Sequence, residues 1–457
     1  MNTQSSNWLR LVFTLAIVLC AGAWAQNVPF IPPPYSESSY VIDVEGMMLG
    51  WGRTLSGELG AGNLVNAATP QRLPLPSGVT NWIAAAGGTT RTVAIDQSGR
   101  FFSCGINSFQ NLGTSDTVLS NLTLIPFPAG VSRWTETAAG NNTLLLSDAG
   151  TVYVLGNSPM LSNYPQPYAG ELVQVPLPTA ANHIIAGRTH YLVLGTDGKI
   201  YLWGFNDAGQ IGQGFTSGAS VTNVATLPFP VGVTSWIRAA AGGFHGLAVG
   251  NDNNLYAWGA NNFGQLGISS NASTVSTPVQ VPFPVGVTSW LHLSAGEYAS
   301  FALGNNGRIY ACGLNQSGML ATGSTTNENQ FKEVIRPAGV TNWIALGSGR
   351  YHGMAVGDDG VLYSWGYGAY GALGNGTVGV FQSQVKPVLY RLSATATNST
   401  QITLGADVPS GSNWVIEASS DLHTWAPAST NSVHQARLQA TQSATSPAEY
   451  LRLSRLR

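Results

Sequence analysis

A tryptophan-glycine pair, or a cysteine or leucine in the tryptophan's place, recurs along the chain as Trp51-Gly52, Cys104-Gly105, Leu155-Gly156, Trp203-Gly204, Trp258-Gly259, Cys312-Gly313 and Trp365-Gly366. A period of about fifty residues marks a repeat architecture, in which one small supersecondary unit buries its apolar face only against its neighbours. The unit is plainest where Trp203-Gly204-Phe205-Asn206-Asp207-Ala208-Gly209-Gln210-Ile211-Gly212 is echoed by Trp258-Gly259-Ala260-Asn261-Asn262-Phe263-Gly264-Gln265-Leu266-Gly267. A second marker, Gly-Val-Thr/Ser-x-Trp, surrounds Trp82, Trp134, Trp236, Trp290 and Trp343, usually behind a Pro-Phe-Pro or Pro-Leu-Pro segment. A third is a small-residue run ending at Gly88, Gly140, Gly187, Gly242, Gly296 and Gly349. The unit around Leu155 has decayed, with Ala181 in the tryptophan place.

Each unit reads as four short strands. In the best-kept one these are Trp236 to Ala241, His245 to Gly250, Leu255 to Ala260 and Thr277 to Pro284, with Asn251-Asp252-Asn253-Asn254 turning a hairpin. The turns Asp96-Gln97-Ser98-Gly99, Thr196-Asp197-Gly198 and Asp358-Asp359-Gly360 supply residues that tolerate positive φ.

These residues resemble the repeat of the regulator of chromosome condensation family, whose units carry the same Trp-Gly-x-Asn-x-x-Gly-Gln-Leu-Gly and Ala-Ala-Gly-x-x-His markers. The resemblance covers residues 38–390 and implies an all-β, seven-bladed β-propeller of four-stranded sheets, here in a secreted, bacterial-type member. There are seven Trp-Gly positions but only six Ala-Ala-Gly segments. Tyr40-Val41-Ile42-Asp43-Val44-Glu45-Gly46 matches the strand and turn before Trp258. The N-terminal strands are therefore expected to complete the blade begun after Trp365, closing the ring through one blade shared by the two ends. The markers stop near Tyr390, and residues 391–457 alternate as strands do, as in Gln401-Ile402-Thr403-Leu404, which predicts a small β-sandwich-like module. Its stretch from Ile416 to Trp425 is similar to C-terminal modules of secreted bacterial proteins.

The first 25 residues read as an export signal: Arg10 precedes an apolar run from Leu11 to Cys20, and Ala23-Trp24-Ala25 gives the small-x-small cleavage pattern before Gln26. Residues 26–37 are then a linker. The apolar run is shorter than the ~20 residues of a spanning helix, so the mature chain is expected to have no integral membrane segment. Leu19 before Cys20 is too bulky for the usual lipid-attachment site. This places the chain outside the cell, in the periplasm or at the cell surface. Once the signal is removed, Cys104 and Cys312 remain. They fall at the same register in different blades, out of disulfide reach, and read as small buried hydrophobes in a tryptophan's place.

Charge argues against a nucleic-acid partner. Charged residues are 9% of the chain, Lys+Arg 19 against Asp+Glu 21, with no basic cluster to release counterions. Motifs for chemistry are also missing. Gly366-Tyr367-Gly368-Ala369-Tyr370-Gly371 satisfies the dinucleotide-binding glycine pattern but lies inside a Trp-Gly repeat with no βαβ unit around it. There is no phosphate loop at Lys199, Lys332 or Lys386, no Gly-x-Ser-x-Gly elbow and no His-Glu-x-x-His. Asp197, Asp252 and the pair Asp358-Asp359 read as turn residues rather than paired catalytic carboxylates. His190, His245 and His352 stand three residues after the register glycine, where Arg91, Thr143 and Ala299 stand in other units. A metal triad would need them to converge across blades. The resemblance implies instead a framing histidine bonded within its own blade. No enzyme activity, cofactor or metal is expected.

The residue before that histidine is Thr90, Asn142, Thr189, Phe244, Tyr298 or Tyr351 in the six units. Equivalent positions share one face, so Phe244, Tyr298 and Tyr351 should form an arc flanked by Arg188, Glu297 and Arg350, the composition of a protein-binding hot spot. Ordinary packing of inner strands would also use aromatics there. The loops Gly214 to Ala225 and Ile268 to Ser276 are further candidate contacts. The expectation is a monomeric, non-enzymatic scaffold that engages a protein, or a surface polymer, through one face. The alternatives are a secreted enzyme inhibitor, similar in plan to propeller-type β-lactamase inhibitors, and the guanine-nucleotide exchange or chromatin binding of the family's namesake.

Overall fold

A computed structural model describes residues 36–455 except 44–45, 89, 108–110, 157–170, 389–391, 399–400, 408–412, 420–425, 433–436 and 444–449, and only the backbone beyond 391. The expected export signal and most of the linker thus lie outside the described residues, as does the boundary near Tyr390. The described strands fall into two compact units, within Val28–Arg391 and Leu392–Arg457.

The first unit is a seven-bladed β-propeller of antiparallel sheets. Blade 1 holds β1 (Ser38–Ile42), β2 (Met48–Gly52) and β3 (Ala67–Arg72); blade 2 holds β4 (Trp82–Gly87), β5 (Arg91–Asp96), β6 (Phe101–Ile106) and β7 (Val118–Ile125). Blade 3 holds β8 (Trp134–Ala139), β9 (Thr143–Ser147), β10 (Val152–Leu155) and β11 (Leu172–Gln174); blade 4 holds β12 (Ala181–Ala186), β13 (His190–Gly195), β14 (Ile200–Asn206) and β15 (Ser217–Thr226). Blade 5 holds β16 (Trp236–Ala241), β17 (His245–Gly250), β18 (Leu255–Ala260) and β19 (Thr274–Gln280). Blade 6 holds β20 (Trp290–Ala295), β21 (Ala299–Gly304), β22 (Ile309–Gly313) and β23 (Glu328–Glu333); blade 7 holds β24 (Trp343–Ser348), β25 (His352–Gly357), β26 (Leu362–Tyr367) and β27 (Phe381–Pro387).

The sequence markers have local causes. The glycine after each tryptophan sits at positive φ, as at Gly259 (φ 103), and a Cβ there would stand 2.5 Å from the Phe244 carbonyl oxygen. Except in blade 4, which has Ala181, the first residue of each described inner strand is a buried tryptophan that meets an aromatic of the third strand edge to face, as Trp236 meets Tyr256 at 5.5 Å and 79°. The phenylalanine of Pro-Phe-Pro packs on the same indole, Phe229 on Trp236 at 5.8 Å and Phe283 on Trp290 at 5.9 Å. Each aspartate turn is closed by its own side chain. Asp252 accepts from the Asn254 amide at 3.1 Å and from the Tyr256 hydroxyl at 2.7 Å. The hydrophobic core lies between adjacent blades: Leu192, Leu202 and Ile211 of blade 4 pack with Trp236, Ala248 and Trp258 of blade 5.

Three expectations are corrected. The outer strand of blade 5 runs Thr274–Gln280 rather than Thr277 to Pro284, because Pro282 and Pro284 supply no amide to the ladder. Gly214 to Ala225 is mostly strand β15, ten residues long, and not a loop; Ile268 to Ser276 runs into β19. Finally, Ser38–Ile42 does not join the sheet of blade 7. It pairs with Met48–Gly52 of its own blade, while β24 to β27 make a complete sheet from one stretch of chain. The two ends still meet, through side chains. Ser39 Oγ lies 2.9 Å from His352 Nε2 and donates to the Ala372 carbonyl at 2.9 Å, and Trp51 Nε1 donates to the same carbonyl at 2.8 Å. Among the described residues, blade 1 has three strands, and the missing one is the inner.

In the second unit, β28 (Leu392–Asn398), β29 (Gln401–Asp407) and β32 (Arg437–Ser443) form one three-stranded antiparallel sheet, and β30 (Asn413–Ser419), β31 (Ala426–Ser432) and β33 (Tyr450–Arg455) form another.

Candidate functional site

In every complete blade the inner strand ends at the register glycine, and the short link to the second strand comes up on one face. This link carries all six of the residues singled out from the sequence, and the structure brings them together. Phe244 stacks on Tyr298 with centroids 6.0 Å apart and planes at 19°, and Tyr298 stacks on Tyr351 at 6.4 Å and 27°. Arg188 lies over the Phe244 ring at 5.7 Å and Arg350 over the Tyr351 ring at 4.9 Å. Glu297, buried, sits between them: its Oε1 is 3.0 Å from Arg188 Nη1 and its Oε2 pairs with Arg350 Nε.

The patch is larger than the sequence reading foresaw. Arg350 also pairs with Glu37 at 3.0 Å, Glu37 with Arg53 at 3.0 Å, and Arg53 with Glu58 at 2.9 Å, so charges alternate from blade 4 across the closure to blade 1. The aromatic surface continues through Phe263 against Tyr298 (5.0 Å), Tyr367 against Tyr351 (6.4 Å) and Phe381 on Tyr367 (4.5 Å), and Arg53 lies over Tyr370 at 5.2 Å. Phe263 and Tyr370 each stand five residues after the repeat tryptophan. That shared register was the available signal, visible only when two markers are read as neighbours in space.

The electrostatics keep this face fixed in one state. Burial opposes the charge on Arg350, but the Glu297 carboxylate overcomes it and holds the guanidinium firmly protonated. Burial and Glu297 push Tyr351 up to about 12 and raise Tyr298, so both phenols stay neutral donors. Because buried Glu297 joins Arg188 to Arg350, Glu297→Gln should lower the unfolding free energy by about 2 kcal/mol, between the values of exposed and buried ion pairs. Urea denaturation at low and high salt checks this, and the loss should shrink as salt rises.

Between blades 6 and 7 a shallow apolar depression opens beside Tyr298 and Tyr351, lined by Ala299, Phe301, Leu314 and Leu320. It exists because Ala299 occupies the histidine place in that seam. Its empty volume, open solvent included, is about 260 Å³.

The three histidines do not converge. His245 Nε2 reaches Ser300 Oγ at 2.9 Å and His352 reaches Ser39, so each bonds to the next blade rather than its own. Each serine also donates to a carbonyl of the histidine's blade, Ser300 to Gln265 at 2.6 Å. The device is a bolt across the seam. Arg91 does the same work with Thr143 at 3.2 Å. In blade 3 the position belongs to Asn142, not Thr143: the link there is one residue shorter, the Gly140 amide donates to the Asn142 carbonyl, and the Asn142 amide donates to Tyr191 Oη at 3.1 Å. In blade 5 the place of Ser300 is taken by Gly246, which has no hydroxyl, and neither ring nitrogen of His190 has a hydrogen-bond partner. Burial pushes His190 down to about 4, His245 to about 3 and His352 to about 4, so all three are neutral. Among the described residues no three His, Cys, Asp or Glu side chains gather as a metal site.

Cys104 and Cys312 are free and buried in different blades. Each also donates to a carbonyl of the preceding blade, as Trp258 does. Cys312 Sγ donates to the Gln265 carbonyl at 3.4 Å, as Trp258 Nε1 donates to Gln210 at 2.9 Å. The dinucleotide-like glycines lie at the end of β26 and in a 3-10 turn, Ala369–Gly371, with no helix to hold a pyrophosphate. Hydrogen bonds from Tyr256 and Asn254 outweigh burial and hold Asp252 below the usual carboxylate range, which fits a turn residue and not a general acid.

Fold and face together define a seven-bladed propeller of Trp-Gly repeats. The chain belongs to the RCC1-like domain family, whose sequence model matches residues 51–408. It is 26% identical over 352 residues to the mouse regulator of chromosome condensation, covering 72% of this chain and 82% of that one. It is 27% identical over 410 residues to the guanine nucleotide exchange factor SRM1 of Saccharomyces cerevisiae, covering 78% and 84%. Among solved structures, yeast RCC1 (Prp20), crystallised with Kap60 bound, superposes with a TM-score of 0.65 at 24% identity over 77% of this chain and 87% of that one, which shows the shared fold.

Proposed function

We propose that the chain is an exported, non-enzymatic binding scaffold that engages a protein through the face of Phe244, Tyr298 and Tyr351. The observation that carries this reading is the continuous stack of half-buried aromatic rings clamped by the Arg188-Glu297-Arg350 ion pairs. Such a surface is rigid before binding, so little conformational entropy is lost when a partner docks. The yeast relative bound to Kap60 supports protein binding as a use of this fold. The signal pattern from Arg10 to Ala25 supports export to the periplasm, cell surface or medium.

Recovery of partners from the native exoproteome, with Phe244, Tyr298 and Tyr351 changed together to Ala, tests the face. The triple variant should lose at least about 2 kcal/mol, roughly thirtyfold in affinity, as hot-spot aromatics do. Unchanged recovery would remove this face from the reading. N-terminal sequencing should find the mature chain starting near Gln26; an intact Met1 on a cytosolic protein would overturn export and bring forward the exchange activity named for the yeast relative.

A further inference from the structure

The six inner strands stand side by side around the axis in the order β4, β8, β12, β16, β20, β24. Each carries a bulge just after its first residue, so the third residue holds one shared register: Ala84, Glu136, His183, Arg238, His292 and Ala345. Glu136 reaches across to the next inner strand. Glu136 Oε1 pairs with His183 Nδ1, and its Oε2 accepts from the Ile184 amide at 3.2 Å. Arg238 follows next in the ring, then His292. No described carboxylate pairs with Arg238, burial alone lowers its basicity, and His292 Nδ1 is buried without a partner. Ala84 and Ala345 hold this register on the two inner strands that flank blade 1. One step nearer the strand starts, Ile237, Leu291 and Ile344 are 39%, 46% and 40% exposed on three successive blades, an apolar collar at the end of the channel away from the aromatic face.

We propose that this channel binds a carboxylate carried on an apolar group, the anion on Arg238 and His292 and the apolar part against Ile237, Leu291 and Ile344. Glu136 neutralises His183, so Arg238 is the uncompensated cation of the ring. An oxyanion there would gain charge-assisted hydrogen bonds that no described protein group now supplies. The collar would add affinity in proportion to the apolar area it covers. The site lies toward the opposite face from the aromatic stack, so it stands or falls independently of the scaffold reading.

Calorimetric titration of the full chain with octanoate, acetate and inorganic phosphate tests this, with the His183 and His292 ring signals followed by NMR. Octanoate should bind more tightly than acetate and shift both ring signals. Arg238→Gln should weaken octanoate about tenfold or more, the loss of one charge-assisted contact. Leu291→Ser should weaken octanoate and leave acetate unchanged. Both variants must keep the wild-type melting transition; if one does not, the other and the NMR shifts still decide. No octanoate binding, equal binding by Arg238→Gln, or a preference for phosphate with no dependence on chain length would each overturn the proposal.

Discussion

Trp258→Cys should lower the unfolding free energy by about 3–5 kcal/mol, the usual range for emptying a buried aromatic site, and Gly246→Ser should cost about 1–3 kcal/mol by overpacking. Combined, they should cost less than their sum by about 1–3 kcal/mol, as for coupled neighbours. Gly246 is the cross-strand partner of Trp258, and a Cβ on it would lie 2.5 Å from Trp258 Cε2. In blade 6 the same two places hold Ser300 and Cys312, which fit each other and both donate to the Gln265 carbonyl. The double change transplants that pair into blade 5. There the serine can take over the Gln210 carbonyl released by the indole and offer its hydroxyl to His190. A double-mutant cycle from urea denaturation is the measurement. Strict additivity would show that the two positions are packed independently.

Acid should destabilise the ring well before its carboxylates are all protonated. His190, His245 and His352 have folded values of about 4, 3 and 4, pushed down by burial from an unfolded value near 6.5. Above pH ~6.5 each is neutral in both states. Below it the unfolded chain takes up protons that the native state refuses, so stability falls with pH until the folded values are reached. Each histidine accounts for a loss on the order of 3 kcal/mol across that window. His183 works the other way: burial opposes its proton, but Glu136 outweighs burial and raises it. The urea midpoint should therefore fall steeply between pH 6.5 and about 4. His190→Gln should flatten the slope by about one proton, because His190 has no hydrogen bond to lose. An unchanged slope would mean that His190 is already solvated.

The fold was legible because each marker has a local cause. The glycine after Trp258 answers to one carbonyl, and the phenylalanine of Pro-Phe-Pro answers to one indole. The position of Asn142 was misread because counting from Gly140 cannot see a one-residue deletion, which only the amide pairing of the link reveals. The closure was misread for a related reason. Seven Trp-Gly pairs against six Ala-Ala-Gly runs point to one blade without a matching inner strand, as blade 1 is among the described residues, but a count does not say where its neighbours turn for pairing. The arc of Phe244, Tyr298 and Tyr351 followed from equivalence within one marker. Phe263, Tyr367, Glu37 and Arg53 escaped because they belong to other markers and meet the arc only through the curvature of the ring.

The side-chain seam between Ser39 and His352 spans 313 residues of chain, whereas the described strands of each blade come from one local stretch. Blades can therefore form one after another from short-range contacts as the chain emerges, and the seam can be made only at the end. Chain entropy does not forbid this, since each doubling of loop length adds only about 0.6 kcal/mol. It makes the seam a late contact, absent while the individual blades cross their folding barriers. Interactions of that kind leave the folding rate nearly unchanged and act on the rate of unfolding. The bonds from Ser39 and Trp51 to the last blade therefore act as a kinetic latch, setting how long a finished ring stays shut.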